Sequence, residues 1–215
     1  MTKVFLSAGH GGNDPGAVAN GLYEKTINLN TLLACKSELE RHGLTVICSR
    51  TKDENDPVSQ EVKEANASNA DIAFSFHANA GGGDGFEVFY HSSSDKGKKL
   101  ANLCEKHIKA LGQNSRGSKV GDRLYFIKNT EMPAVLVESF FVDNEKDKTI
   151  GDTPAEQTAF GIAYAKAILE YLGVAYKNNP PGKLYKVQVG AYSDMSNAKA
   201  MQKKLKQAGF ESIIV

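Results

Sequence analysis

Val4-Phe5-Leu6-Ser7-Ala8-Gly9-His10 is a short apolar run that breaks off at a glycine and a histidine. Two later stretches have the same build: Asp71-Ile72-Ala73-Phe74-Ser75-Phe76-His77 and Ala134-Val135-Leu136-Val137-Glu138. Such runs, stopping abruptly at polar or glycine residues, read as strands of a covered, mostly parallel sheet. In open α/β sheets, ligands bind outside the carboxyl ends of the strands. Three strands therefore deliver His10, His77 and Glu138, each able to bind or activate a metal, to one end of the sheet. Glu24, just before the helical stretch that follows the first loop, supplies a further carboxylate.

The rest of the chain fills in the layers. Apolar residues recur with helical period over 24–42 and stop at Gly43, a C-terminal signal. A strand is predicted over 44–50, a polar helix over 56–70, a strand over 86–90 and an amphipathic helix over 97–111. A short strand over 123–127 and a long closing helix over 154–172 complete the pattern. Strands alternating with helices predict an α/β three-layer sandwich, a twisted, mostly parallel sheet between helices. Residues 173–183 break every periodicity with Asn-Asn-Pro-Pro-Gly. A small C-terminal βαβ unit follows, with strands over 184–192 and 210–215 and a helix over 197–208. The expected division is 1–173, a linker over 174–183, and 184–215.

Bulk properties exclude several function classes. With 26 basic and 25 acidic side chains the net charge is +1, so no electrostatic footprint for nucleic acid or an anionic membrane is present. No apolar run approaches the roughly 20 residues of a membrane helix. Cys35, Cys48 and Cys104 are odd in number and scattered, which argues against a disulfide framework. The glycine-rich loop from Gly9 to Gly16 is not a dinucleotide fingerprint, since G-x-G-x-x-G fails at Asp14.

The chemistry is carried by the four marked residues. A hydrolytic zinc site takes three protein ligands and keeps a position for water. His10, Glu24 and His77 supply such a set. Glu138 follows four apolar residues, where an ionised carboxylate is costly unless paired or beside a metal. A glutamate near a zinc-bound water can take its proton and deliver it to a leaving amine. Asn79 and Arg123 are candidate substrate contacts, being polar and near strand ends.

These residues carry a resemblance. The stretch 7–17 (SAGHGGNDPGA), Glu24, the stretch 45–50 (TVICSR), 75–79 (SFHAN) and 132–138 (MPAVLVE) resemble the zinc-dependent N-acetylmuramoyl-L-alanine amidases of the type-3 family, in order, over residues 1 to about 172. The resemblance implies zinc on His10, Glu24 and His77, Glu138 as catalytic acid/base, and hydrolysis of the peptidoglycan amide between the lactyl group of N-acetylmuramic acid and L-alanine. Where the family commonly reads E-x-G-F-x-x-N, this chain has Phe140 at the glycine position and keeps Phe141 and Asn144. The likeness is to spore-former autolysins and phage endolysins.

The tail resembles half of a sporulation-related (SPOR) peptidoglycan-binding repeat, in Leu184-Tyr185-Lys186-Val187-Gln188-Val189-Gly190-Ala191-Tyr192 and Ala208-Gly209-Phe210. One such half leaves a sheet edge unpaired, with Val187, Val189 and Ile213 or Ile214 uncovered. A homodimer joining two halves through 184–215 is the expected remedy. Met1-Thr2-Lys3 runs into the first strand without a signal-peptide pattern. The expectation is synthesis in the cytoplasm and action on the wall after lysis or release. A zinc peptidase cutting inside the stem peptide is the alternative enzyme. An inactive wall-binding module would leave Glu138 without a role.

Overall fold

The computed structural model describes residues 2–178, 189–207, 212 and 214. Two units divide the chain, Met1–Lys177 and Asn178–Val215. The first begins with β1 (Lys3–Ala8), the small antiparallel pair β2 (Val18–Ala19) and β3 (Leu22–Tyr23), α1 (Glu24–Arg41), β4 (Thr45–Cys48) and α2 (Val58–Ala67). It continues with β5 (Ile72–Asn79), β6 (Phe86–Tyr90), α3 (Asp95–Lys109) and β7 (Ser115–Val120). It closes with α4 (Tyr125–Asn129), β8 (Ala134–Phe141), α5 (Glu145–Gly151) and α6 (Pro154–Tyr171).

Six strands form one sheet in the order β4-β1-β5-β8-β6-β7. β4, β1, β5 and β8 run parallel, β6 is antiparallel to β8, and β7 is parallel to β6. The sheet is mostly parallel and flanked by helices. One face packs on α1, α3 and α6 through Leu6, Phe74, Phe76, Val135, Val137, Leu32, Leu100 and Tyr164. The other packs on α2 and α4 through Phe5, Ala73, Leu136, Val62 and Phe126. Strands buried on both faces explain why β1, β5 and β8 read as continuous apolar runs. Among the described residues no helix is long and apolar enough to cross a membrane.

Local signals set the helix ends. Thr153 and Glu156 form a capping box around Pro154 at the start of α6. Ser94 caps α3 by accepting from Gly97 N at 3.0 Å. Gly43, at φ 81°, takes the left-handed position after α1.

One expected strand is corrected, one strand is unmarked by the pattern, and the two units divide a few residues later than the expected boundary. Residues 123–127 do not form a strand. A turn at Asp122 is held by Ser92, and Tyr125–Asn129 is a helical turn that packs Phe126 and Ile127 beside Val62 and Ala65. β7, Ser115–Val120, is an edge strand that the hydrophobic pattern does not reveal, because SRGSKV carries no apolar alternation. The boundary expected after residue 173 lies later. Val174 N donates to Leu169 O at 2.9 Å, and Tyr176 stacks on His42 at 5.0 Å, so 174–177 belong to the first unit.

In the second unit, α7 spans Met195–Gln207, with Asp194 accepting from Ser196 N at 2.7 Å at its start. The strand expected over 184–192 lies outside the described residues through Gln188, and residues 189–192 do not lie in a strand. Residues 210, 211, 213 and 215 of the second expected strand also lie outside them, as do Val187 and Ile213.

Candidate metal centre

His10, Glu24 and His77 converge at the carboxyl ends of β1 and β5, their ligand atoms all within 4.8 Å of one another. Glu24 Oε1 lies 3.2 Å from His10 Nε2 and 3.0 Å from His77 Nδ1. The two rings meet edge to face at 5.2 Å. Two imidazoles and a carboxylate are the donor set of a hydrolytic zinc site.

The loop that carries His10 is built to hold it. His10 itself sits at φ 65°, in the left-handed region. Buried Arg50 donates from Nε to Ala8 O at 2.9 Å and from Nη2 to Lys25 O at 2.8 Å, tying the end of β1 to the start of α1. Asn28 Nδ2 donates to Gly9 O at 3.0 Å. Two glycines make room for these three side chains. A Cβ on Gly9 would overlap the His77 imidazole, and one on Gly16 would fall 2.6 Å from Glu24 Oε2 and 2.7 Å from His10 Cδ2. Glu24 is further oriented by Ala17 N, donating to Oε2 at 2.8 Å, and Ala78 N, donating to Oε1 at 3.2 Å. His10 Nδ1 lies 2.8 Å from Asp14 Oδ2, and a carboxylate placed behind a ligating imidazole in this way fixes the ring's orientation.

The electrostatics fit a cation. Burial alone would raise the Glu24 carboxyl, but the His10 and His77 contacts outweigh it and hold it well below the usual range. The Glu24 hydrogen bond drives His10 up to about 9 against the opposing effect of burial. Burial acts downward on His77 and the Glu24 hydrogen bond more than offsets it. One carboxylate thus contacts both imidazoles and favours their protonated forms, and a metal bound by the three would displace those protons.

Glu138 lies directly opposite His77 in the β5–β8 pairing. Its Oε2 is buried and has no hydrogen-bond partner among the described residues. Burial, reinforced by the Glu24 and Glu87 charges, pushes its pKa up to about 7 despite the nearby His77. That is the poise of an acid/base working near neutral pH.

Residues 4–170 match the N-acetylmuramoyl-L-alanine amidase family, and residues 181–215 match the SPOR domain. The chain belongs to the N-acetylmuramoyl-L-alanine amidase family. It is 33% identical to the N-acetylmuramoyl-L-alanine amidase CwlM of Bacillus licheniformis, over 100% of this chain and 85% of that protein. It is 40% identical to an endolysin of Bacillus phage SPP1 over 76% of this chain and 66% of the endolysin. Among solved structures, it is similar to the catalytic domain of CwlV, an N-acetylmuramoyl-L-alanine amidase from Bacillus (Paenibacillus) polymyxa var. colistinus. That match has a TM-score of 0.76 at 34% identity, covering 81% of this chain and all of that one.

Within this amidase domain the two weaker sequence candidates part company. Asn79, at the end of β5, donates from Nδ2 to Glu87 Oε2 at 3.3 Å, beside Glu138. Arg123 is not brought to the site. β7 runs antiparallel to β8, so the turn after it lies beyond the amino-terminal end of β8, near Tyr90 and Val135. A strand end alone does not distinguish this end of the sheet from the carboxyl ends of the parallel set. The linear pattern also leaves Asp14, Glu87, Arg116 and Lys119 unmarked. Only Asp14 has a usable signal, four residues after His10 in the same loop.

Phe140 departs from the family pattern without breaking the strand. β8 runs on through Phe141, and the Phe140 ring fits against Gly151 and stacks on Phe160 at 5.9 Å. Asn144 caps α5, accepting from Lys146 N and Asp147 N, and donates to Gly83 O at 2.8 Å.

Proposed function

We propose that this amidase works as a zinc enzyme, with His10, Glu24 and His77 as ligands and Glu138 as the proton carrier. The family assignment makes it a peptidoglycan amidohydrolase that cuts the amide between N-acetylmuramic acid and L-alanine. The observation that carries the finer reading is the convergence of three ligand atoms within 4.8 Å beside a buried, unpartnered Glu138 oxygen. Zinc, when held there, supplies a Lewis acid for the scissile carbonyl and acidifies the attacking water towards a pKa of roughly 7. Asp14 and the Ala17 and Ala78 amides keep His10 and Glu24 aimed inward. Glu138 Oε2 accepts the water's proton as it attacks. The same oxygen then returns that proton to the departing alanine nitrogen, which completes the hydrolysis.

The test combines metal analysis with product identity. The purified chain should hold about one zinc, and His77→Ala should lose both metal and wall lysis. Glu138→Ala should keep zinc and lose activity. Full zinc occupancy in His77→Ala, or lysis by Glu138→Ala within tenfold of the parent, would overturn the residue assignment. A released fragment whose glycan still carries L-alanine would point instead to a stem peptidase.

Pairing of two chains through residues 184–215 is a separate proposal, made on the sequence of the tail. Light scattering on the full chain and on a chain truncated after Lys177 decides it: a dimer mass for the full chain alone supports the pairing, and a monomer mass for both removes it.

A further inference from the structure

Glu87 stands on β6 directly opposite Glu138 on β8, and it is buried. Its Oε1 accepts from Lys119 Nζ at 2.6 Å and from Arg116 Nε, while Asn79 Nδ2 reaches Oε2. Burial acts to raise this carboxyl, and the Lys119 and Arg116 hydrogen bonds overcome it and keep it ionised. One cation would neutralise it. Two leave a positive charge in excess, and the exposures show which sign faces outward: the side chains of Arg116 and Lys119 are 42% and 38% exposed, that of Glu87 only 8%.

The chain makes a specific provision for this pair. Residues three apart on a regular strand point to opposite faces of the sheet. The β6–β7 register shifts between Phe86 and Val88, beside Gly117, which takes φ 88° and donates its N–H to Ser115 Oγ at 2.9 Å. This bulge turns Arg116 and Lys119 onto the same carboxylate, the re-aiming that bulges near active sites perform. The Arg116 guanidinium also lies 5.3 Å over the Phe141 ring, just past Glu138 on β8.

In peptidoglycan the lactyl carboxyl is consumed in the scissile amide, so the anions near that bond are carboxylates of the stem peptide. Strands are about 4.8 Å apart, which sets β7 about 10 Å from β8. Three extended residues span about that distance.

We propose that Arg116 and Lys119 bind a stem-peptide carboxylate two or three residues beyond the scissile amide, and so make the enzyme prefer free-acid stems over amidated ones. The proposal rests on the amidase reading. The probe is a soluble muramyl tripeptide with free carboxylates at its second and third residues, compared with the same molecule bearing carboxamides there. The parent should favour the acid in kcat/KM by about tenfold or more, as charge-assisted hydrogen bonds imply. Arg116→Gln with Lys119→Gln should collapse that ratio, chiefly through KM. Lys119→Gln alone, which leaves Arg116 on Glu87, should reduce it. Arg116→Lys with Lys119→Arg should preserve it. A parent indifferent to the substitution, or glutamine variants that keep the ratio, would overturn the proposal, and should the double variant not fold, the ratio measured for Lys119→Gln decides. A parent that cleaves neither substrate fails the amidase reading itself.

Discussion

Gly9 is packed so closely on His77 that a Cβ at position 9 would lie 2.8 Å from the imidazole Nδ1 and closer still to Cε1 and Nε2. The strand end that delivers His10 therefore also forms the wall that positions His77. Gly9→Ala should displace the His77 ring while leaving the apolar strands in place. Zinc binding should weaken by about 10–100-fold, the usual cost of disturbing a ligand's support. Competition with a chelator measures it, and an unchanged affinity would show that the ring has room to move.

Asp14 makes a second test of support. It is exposed, bonds His10 and accepts from Gly16 N at 3.0 Å, and plays no part in the core. Asp14→Ala should cost about tenfold or more in zinc affinity with little change in unfolding. Equal affinities for variant and parent would mean that Arg50 and Asn28 hold the loop unaided.

Glu138 gives a pH signature in the metal-free protein. Its carboxyl rises from an ordinary 4.5 to about 7 on folding. Below pH 4.5 it is protonated in both states and its contribution is fully present. Between 4.5 and 7 the unfolded chain releases this proton while the native state keeps it, so stability falls with rising pH by up to about 3 kcal/mol. Glu24, held low, works in the opposite direction and loses its contribution as pH falls. Subtracting the Glu138→Gln curve from the parent's isolates the Glu138 slope. Parallel urea-stability curves from pH 4 to 8 would contradict its shift.

Phe140 and Gly151 form a matched pair in the core. Adding a Cβ at Gly151 would bring it within 2.6 Å of Phe140 Cδ1. Gly151→Ala should cost about 1–3 kcal/mol from overpacking, and Phe140→Ala about 3–5 kcal/mol from the cavity it leaves. Combined, they should cost less than their sum by about 0.5–3 kcal/mol, since each relieves the other. Strict additivity in urea unfolding would show that the two sites do not communicate.

The chain's linear pattern determined the parallel layers and marked the candidate residues that the fold brings together. A strand buried on both faces must be apolar throughout, so β1, β5 and β8 announce themselves, and the polar residue at which each run stops stands at the sheet's ligand-binding end. His10, His77 and Glu138 were legible for that reason, and Glu24 because it opens a helix right after the first loop. Strand direction was not legible. Nothing in Phe86–Tyr90 says that β6 reverses, yet that reversal carries β7 with it and sends Arg123 to the far end of the sheet. Nor could SRGSKV be read as a strand whose bulge at Gly117 turns Arg116 and Lys119 onto Glu87. Hydrophobic periodicity records only which faces are buried. Which strand lies beside which, in what direction and with what slip of register, is chosen by pairing between residues distant in sequence, and that choice exists only in the folded molecule.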